Sequence, residues 1–176
     1  EIGYAVARAH RVTYVGERGW ELYVSADMAN HVFDTIASRA EDHPLQLCGL
    51  HALDSCRIEK AFRHFGHDIS NENHVLEAGL GFAVKETKPE GRFGSMIGCD
   101  AVKAKRNDGL SQRLMQFRLK DPDPLLYHNE AILRDGELVG HLTSGNYGHH
   151  LAGAIGLGYV KCGVAGESVQ DQLNSS

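Results

Sequence analysis

Apolar and polar residues alternate in HRVTYV (residues 10–15) and again in WELYVS (20–25), and the intervening GERG supplies two glycines, a pattern that predicts a β-hairpin. In that hairpin Trp20, Leu22 and Val24 share one face of the second strand, and Glu21 and Tyr23 share the other. Asp27 is then placed to N-cap a helix over about residues 28–40, in which Val32, Phe33, Ile36 and Ala37 fall at helical spacing, with Pro44 beyond its end. A second helix is expected from about Leu50 to Phe62, with Leu50, Leu53, Ile58 and Phe62 as an imperfect apolar stripe and Arg57, Glu59 and Lys60 outside it.

The polar stretch FGHDISNENHVLEAG has little periodicity and reads as a long irregular loop, the kind that often carries function. LGFAVK reads as a strand, and TKPEGRFGS has linker chemistry that places a domain boundary near residue 91. After a short helix over about 99–106 the pattern turns to strands: QRLMQFRL, then EAILRDG and ELVGHLTS about an Asp135–Gly136 turn, then AGAIGLGYVK. Several short strands with turn signals suggest a small barrel or sandwich in this later part of the chain.

Composition narrows the partners. The chain is 42% hydrophobic and 23% charged, with a formal net charge of -5 and no Lys/Arg block, so nothing marks a nucleic-acid or anionic-membrane surface. No apolar run reaches transmembrane length, and neither a membrane span nor a signal peptide is expected. The four cysteines lie far apart without C-x-x-C spacing, which favours reduced thiols in a cytosol-like compartment.

Most of the sharper motifs fail on spacing. Eleven histidines invite a metal site, but neither His64 with His67 nor His149 with His150 gains a third ligand at a zinc-like interval, so no metal is expected. GAIGLG lacks the strand, turn, helix and downstream acid of a dinucleotide loop, and its glycines read as members of a tightly packed strand. Ser144 lies in no nucleophile elbow. Of the two carboxylates in GERGWELY, Glu21 stands among large side chains beside Tyr23, where a covered carboxylate needs donors.

Five stretches, in order from Thr13 to Val160, carry a resemblance: YVGERGWELYV, CGLHALDSCRIEKAFRHFGHDI, HVLEAGLGFAV, FGSMIGCDAV and LVGHLTSGNYGHHLAGAIGLGYV. Together they resemble the motifs of the glycine-cleavage T-protein (aminomethyltransferase) family, especially the folate-binding C-terminal region of its sarcosine and dimethylglycine dehydrogenase relatives. WELY, ALDSCRIEK and RHFGHDI favour the dehydrogenase branch, and Leu53 stands where aminomethyltransferases proper carry a further arginine.

The resemblance implies that residues 1–91 belong to the folate-binding α+β domain and 92–176 to the C-terminal barrel. It implies tetrahydrofolate as cofactor, a small N-methyl amine as source of the one-carbon unit, and a cytoplasmic or mitochondrial-matrix location. It also implies Glu21 as the carboxylate that meets the pterin, with Glu17 and Tyr14 lining the channel. Arg57 matches the motif's retained arginine, and a ligand contact and a structural pair with Asp54 or Glu59 are equally expected of it. A carboxylate suits a pterin because it can accept a ring N–H and the adjacent exocyclic amino group in one plane.

The acid that handles protons in the family lies upstream of these motifs, so no catalytic residue is carried over, and FAD would belong to another domain of the parent protein. The chain starts without Met and ends in DQLNSS, which suggests a piece of something longer or a processed product, inactive alone. An incomplete barrel with an open edge predicts self-association. Two alternatives stand beside this reading: a non-catalytic folate-fold module, and an aminomethyltransferase of the glycine cleavage system.

Overall fold

Two antiparallel sheets organise the computed structural model, which describes residues 1–84 and 96–162. The chain divides into two compact units, Glu1–Phe62 and Arg63–Ser176. The boundary expected near residue 91 lies outside the described residues.

In the first unit β1 (Arg8–His10) pairs with β2 (Glu21–Tyr23), in the register Arg8↔Tyr23, Ala9↔Leu22 and His10↔Glu21. The tight hairpin expected about GERG is therefore not formed, and residues 11–20 make a wide loop between the strands. Local chemistry explains the difference. Thr13 Oγ1 accepts the Val15 N–H at 3.1 Å, a side-chain bond that competes with a strand ladder. Gly16 adopts a φ of +79°, which a paired strand does not permit.

A 3₁₀ turn over Ala26–Met28 runs directly into α1 (Ala29–Ala37). Asp27 lies within that turn and does not cap the helix; Met28 occupies the cap position, without a side-chain bond. On α1 only Val32 is buried, while Phe33 and Ile36 are exposed. The second helix, α2 (Leu50–Glu59), buries Ser55, Arg57 and Ile58. It ends where Ala61 turns left-handed at φ +53° and the Phe62 N–H reaches back to the Arg57 carbonyl at 2.9 Å, satisfying a terminal acceptor.

The second unit opens with residues 63–84, expected as irregular and found as a series of bonded turns. The Asp68 carboxylate accepts the His64 N–H at 2.8 Å, and Asn73 Oδ1 accepts the Ser70 N–H at 2.7 Å. Where LGFAVK suggested a strand, Gly81–Ala83 forms a 3₁₀ turn, and Lys85 lies outside the described residues. The next helix, α3 (Cys99–Asp108), is bracketed by Gly98 and Gly109, both at positive φ, and buries Cys99 and Val102.

Four strands follow: β3 (Gln112–Arg118), β4 (Ala131–Arg134), β5 (Glu137–Gly148) and β6 (Gly153–Lys161), in the order β3-β6-β5-β4. Asp135 and Gly136 both have positive φ, as the two-residue Asp-Gly turn requires. Leu114, Leu142, Ala154, Ile155 and Leu157 form the buried core of this sheet. Among the described residues the sheet does not close into a barrel, and β3 and β4 form its edges. Helices with antiparallel sheets give the α+β class that the sequence indicates.

Candidate functional site

The ribbon of β1 and β2 holds Glu21, the second of the two GERGWELY carboxylates. Alternation puts Glu21 and Tyr23 on one face, and the register sets His10 directly across from Glu21. The Tyr23 hydroxyl donates to Glu21 Oε2 at 2.8 Å, and the His10 ring lies 4.9 Å from the Tyr23 ring, tilted by 43°. The hydrogen bond to Glu21, and then its charge, push the Tyr23 phenol above its ordinary value of 10.0.

Between the strands, the loop shapes a cleft of about 360 Å³ lined by Arg11, Thr13, Gly16, Glu17 and Arg18 among others. Gly16 is favoured here by its φ of +79°, and a Cβ would lie 2.3 Å from Cγ of Lys60, so the loop sits directly on that aliphatic stem. Beside it the Tyr14 ring lies nearly parallel to that of Phe62, with centroids 6.1 Å apart.

Arg57 supports this arrangement from below. It is 2% exposed, its Nε donates to Asp54 Oδ1 at 2.7 Å, and its Nη1 donates to the Phe62 carbonyl at 3.0 Å. The end of α2 thereby fixes the residue against which Tyr14 packs.

Glu17 thus lines the cleft with two guanidinium groups, Glu21 stands on the ribbon that closes the loop, and Tyr14 and Arg57 are linked through Phe62. Sequence reasoning did not single out Arg11, Arg18 or the use of Tyr23 as a donor. The signal was available in part, since Arg11 and Arg18 bracket the glycine-containing loop and Tyr23 shares a face with Glu21.

Among its described residues, the second unit buries the carboxylates of Asp68 and Glu77. Asp68, 1% exposed, accepts the Thr143 hydroxyl at 2.5 Å. Glu77 accepts Lys105 Nζ at 2.8 Å and the Ser111 hydroxyl at 2.8 Å, and Gln112 Nε2 at 3.3 Å. Burial pushes the Glu77 carboxyl up, but the bonds from Lys105, Ser111 and Gln112 outweigh it and hold the group below its ordinary 4.5. Both carboxylates staple the 63–84 segment to β3 and β5. Burial, followed by the Asp68 and Glu77 charges, pushes the Tyr159 phenol up to about 12. The His64 and His67 rings meet edge to face at 4.6 Å, and no group of three or more potential metal ligands gathers among the described residues. No helix among them is long and apolar enough to cross a membrane.

Comparison with known proteins places these features in a lineage. The family model of the GCVT N-terminal domain matches residues 1–88, and that of the glycine cleavage T-protein C-terminal barrel domain matches residues 112–173. The 4-methylaminobutanoate oxidase (formaldehyde-forming) of Paenarthrobacter nicotinovorans is 43% identical over 89% of this chain and 19% of its own length. The aminomethyltransferase of Halothermothrix orenii is 38% identical over 90% of this chain and 43% of its own. Human mitochondrial sarcosine dehydrogenase is 34% identical over 88% and 16%.

The chain therefore spans less than half the length of these relatives. In fold it is similar to the glycine cleavage system aminomethyltransferase T of Bartonella henselae, with a TM-score of 0.74 and 23% identity, over 87% of this chain and 41% of that one. Two domain matches in chain order, the shared fold and relatives in both enzyme branches establish that the chain belongs to the glycine cleavage T-protein family.

Proposed function

We propose that this chain is the tetrahydrofolate-binding part of a one-carbon transfer protein of the sarcosine or dimethylglycine dehydrogenase type. The observation that carries the reading is an oriented carboxylate, Glu21, on the strand that follows a loop whose cleft combines Glu17, Arg11 and Arg18. This donor and acceptor set fits a folate. A carboxylate can accept the paired N–H groups of a pterin, and guanidinium groups complement the carboxylates at the molecule's other end. The cleft's volume, about 360 Å³, falls within the roughly 300–1,000 Å³ of small-molecule sites.

In this reading Glu21 contacts the pterin, Glu17 and Tyr14 line the path to it, and Arg57 holds the underlying helix end in place. Bound tetrahydrofolate would supply the nitrogen that accepts the one-carbon unit. The relatives' names point to the donor class: 4-methylaminobutanoate, sarcosine and dimethylglycine are all N-methyl amines carrying a carboxylate. In the parent protein, FAD would be held by a different domain.

A second reading, an aminomethyltransferase of glycine cleavage, is favoured by the 38% identity to the Halothermothrix orenii enzyme. Both readings require folate at the same site. Calorimetric titration of tetrahydrofolate into the chain, Glu21→Gln and Glu17→Gln tests the shared claim. Affinity should fall about tenfold or more in Glu21→Gln, roughly 1.4 kcal/mol. Absence of binding to the unmodified chain, or unchanged affinity in both variants, would overturn it.

A further inference from the structure

The face that carries Glu21 holds a second functional element. We infer that Tyr23 is a positioning residue for folate binding, presetting the Glu21 carboxylate through its hydroxyl while His10 braces the phenol ring; this rests on the reading that Glu21 receives the pterin.

An exposed glutamate on a three-residue strand samples several rotamers, and a ligand that needs both carboxylate oxygens in one plane must select among them at an entropic cost. The 2.8 Å bond from Tyr23 makes that selection before the ligand arrives. Tyrosine suits the task because two side-chain torsions fix its ring, and the His10 ring at 4.9 Å limits even these. The bond uses one lone pair of Oε2. Oε1 and the remaining lone pair of Oε2 stay available for a planar pair of N–H donors.

The register makes the arrangement specific to this ribbon. His10 pairs with Glu21 and Arg8 with Tyr23, so all four residues stand on one face, and a shift of one position would send Glu21 and Tyr23 to the other. The raised Tyr23 phenol reports the same contact, because its cause is the neighbouring Glu21.

The test is a double-mutant cycle with tetrahydrofolate as the probe, using the chain, Glu21→Gln, Tyr23→Phe and the double variant. Tyr23→Phe should bind three- to tenfold more weakly, Glu21→Gln at least tenfold more weakly, and the double variant no more weakly than Glu21→Gln. Alongside it, NMR titration of ¹³Cζ-labelled tyrosine should show the Tyr23 phenol falling back toward its ordinary value in Glu21→Gln, which establishes the contact in solution, while the non-additivity of the affinity cycle is the readout that a purely structural pair would not move.

If Glu21→Gln weakens binding but Tyr23→Phe does not, or if their effects multiply, the positioning role is overturned and the folate reading stands. A Tyr23 titration unchanged by Glu21→Gln also overturns the positioning role. If the chain does not bind tetrahydrofolate, or Glu21→Gln binds as well as the unmodified chain, the assignment of Glu21 to the pterin falls, and the role of Tyr23 with it.

Discussion

Replacing Arg57 by leucine separates the two roles that an arginine in this motif could have. The side chain is almost fully buried, donates to Asp54 and to the Phe62 carbonyl, and sits where the loop above α2 rests. Leucine retains part of the aliphatic packing and removes the guanidinium. A hydrogen bond from a charged donor is worth about 1.5–3 kcal/mol, and two are lost here. Asp54 is 40% exposed and can regain water, so the low end applies, about 3 kcal/mol in all. With a urea slope of about 1–3 kcal/mol/M, the unfolding midpoint should drop by at least ~1 M. Circular dichroism, together with the fluorescence of Trp20, the chain's one tryptophan, measures the shift. A variant with an unchanged midpoint and lost folate affinity would refute the argument and return Arg57 to direct ligand contact.

Two further substitutions test the second unit. The Glu77 carboxyl is held below 4.5, so its contribution to stability is fully present above pH 4.5 and is lost as pH falls through the lowered value. Glu77→Gln should therefore flatten the acid limb of urea midpoints measured from about pH 6 down to about pH 3, and an unchanged limb would count against the linkage. Gly145→Ala would place a Cβ 2.5 Å from the Leu126 carbonyl carbon and 2.6 Å from the Tyr127 nitrogen. Because backbone blocks it, this variant should lose about 1–3 kcal/mol by thermal unfolding, whereas Gly49→Ala, with open space around it, should lose less than about 1 kcal/mol, the penalty of alanine for glycine at the α2 N-cap.

The parts of the fold that could be read from sequence are those where periodicity and turn chemistry agree. α2, α3 and the β4–β5 hairpin fall where the apolar spacing and the Asp135–Gly136 turn place them. The β1–β2 ribbon was misplaced because alternation extends through Val12, Thr13 and Tyr14, while a single side-chain bond at Thr13 and a left-handed Gly16 divert the backbone. LGFAVK failed for another reason: a short apolar run does not distinguish a strand from a turn, and here the Leu80 N–H bonds back to Val75.

At the candidate site, Glu17 lies in the glycine-containing loop that the sequence marks, and it lines the cleft there. The supporting residues were less visible, because Phe62 and Lys60 meet the loop only through contacts more than 40 residues along the chain. Tyr23 was placed on the correct face, but its bond to Glu21 depends on rotamers that alternation does not specify.

The wide loop joins two contacts of very different range, and this gives the site an order of assembly. Pairing Arg8 with Tyr23 closes a local loop, an event on the scale of roughly 1–10 μs for a hairpin. Setting Tyr14 on Phe62 and Gly16 on Lys60 must wait for α2 and for a much longer closure. During folding, then, the oriented Glu21 can exist before the cleft beside it, and a chain caught midway would present the carboxylate without the pocket.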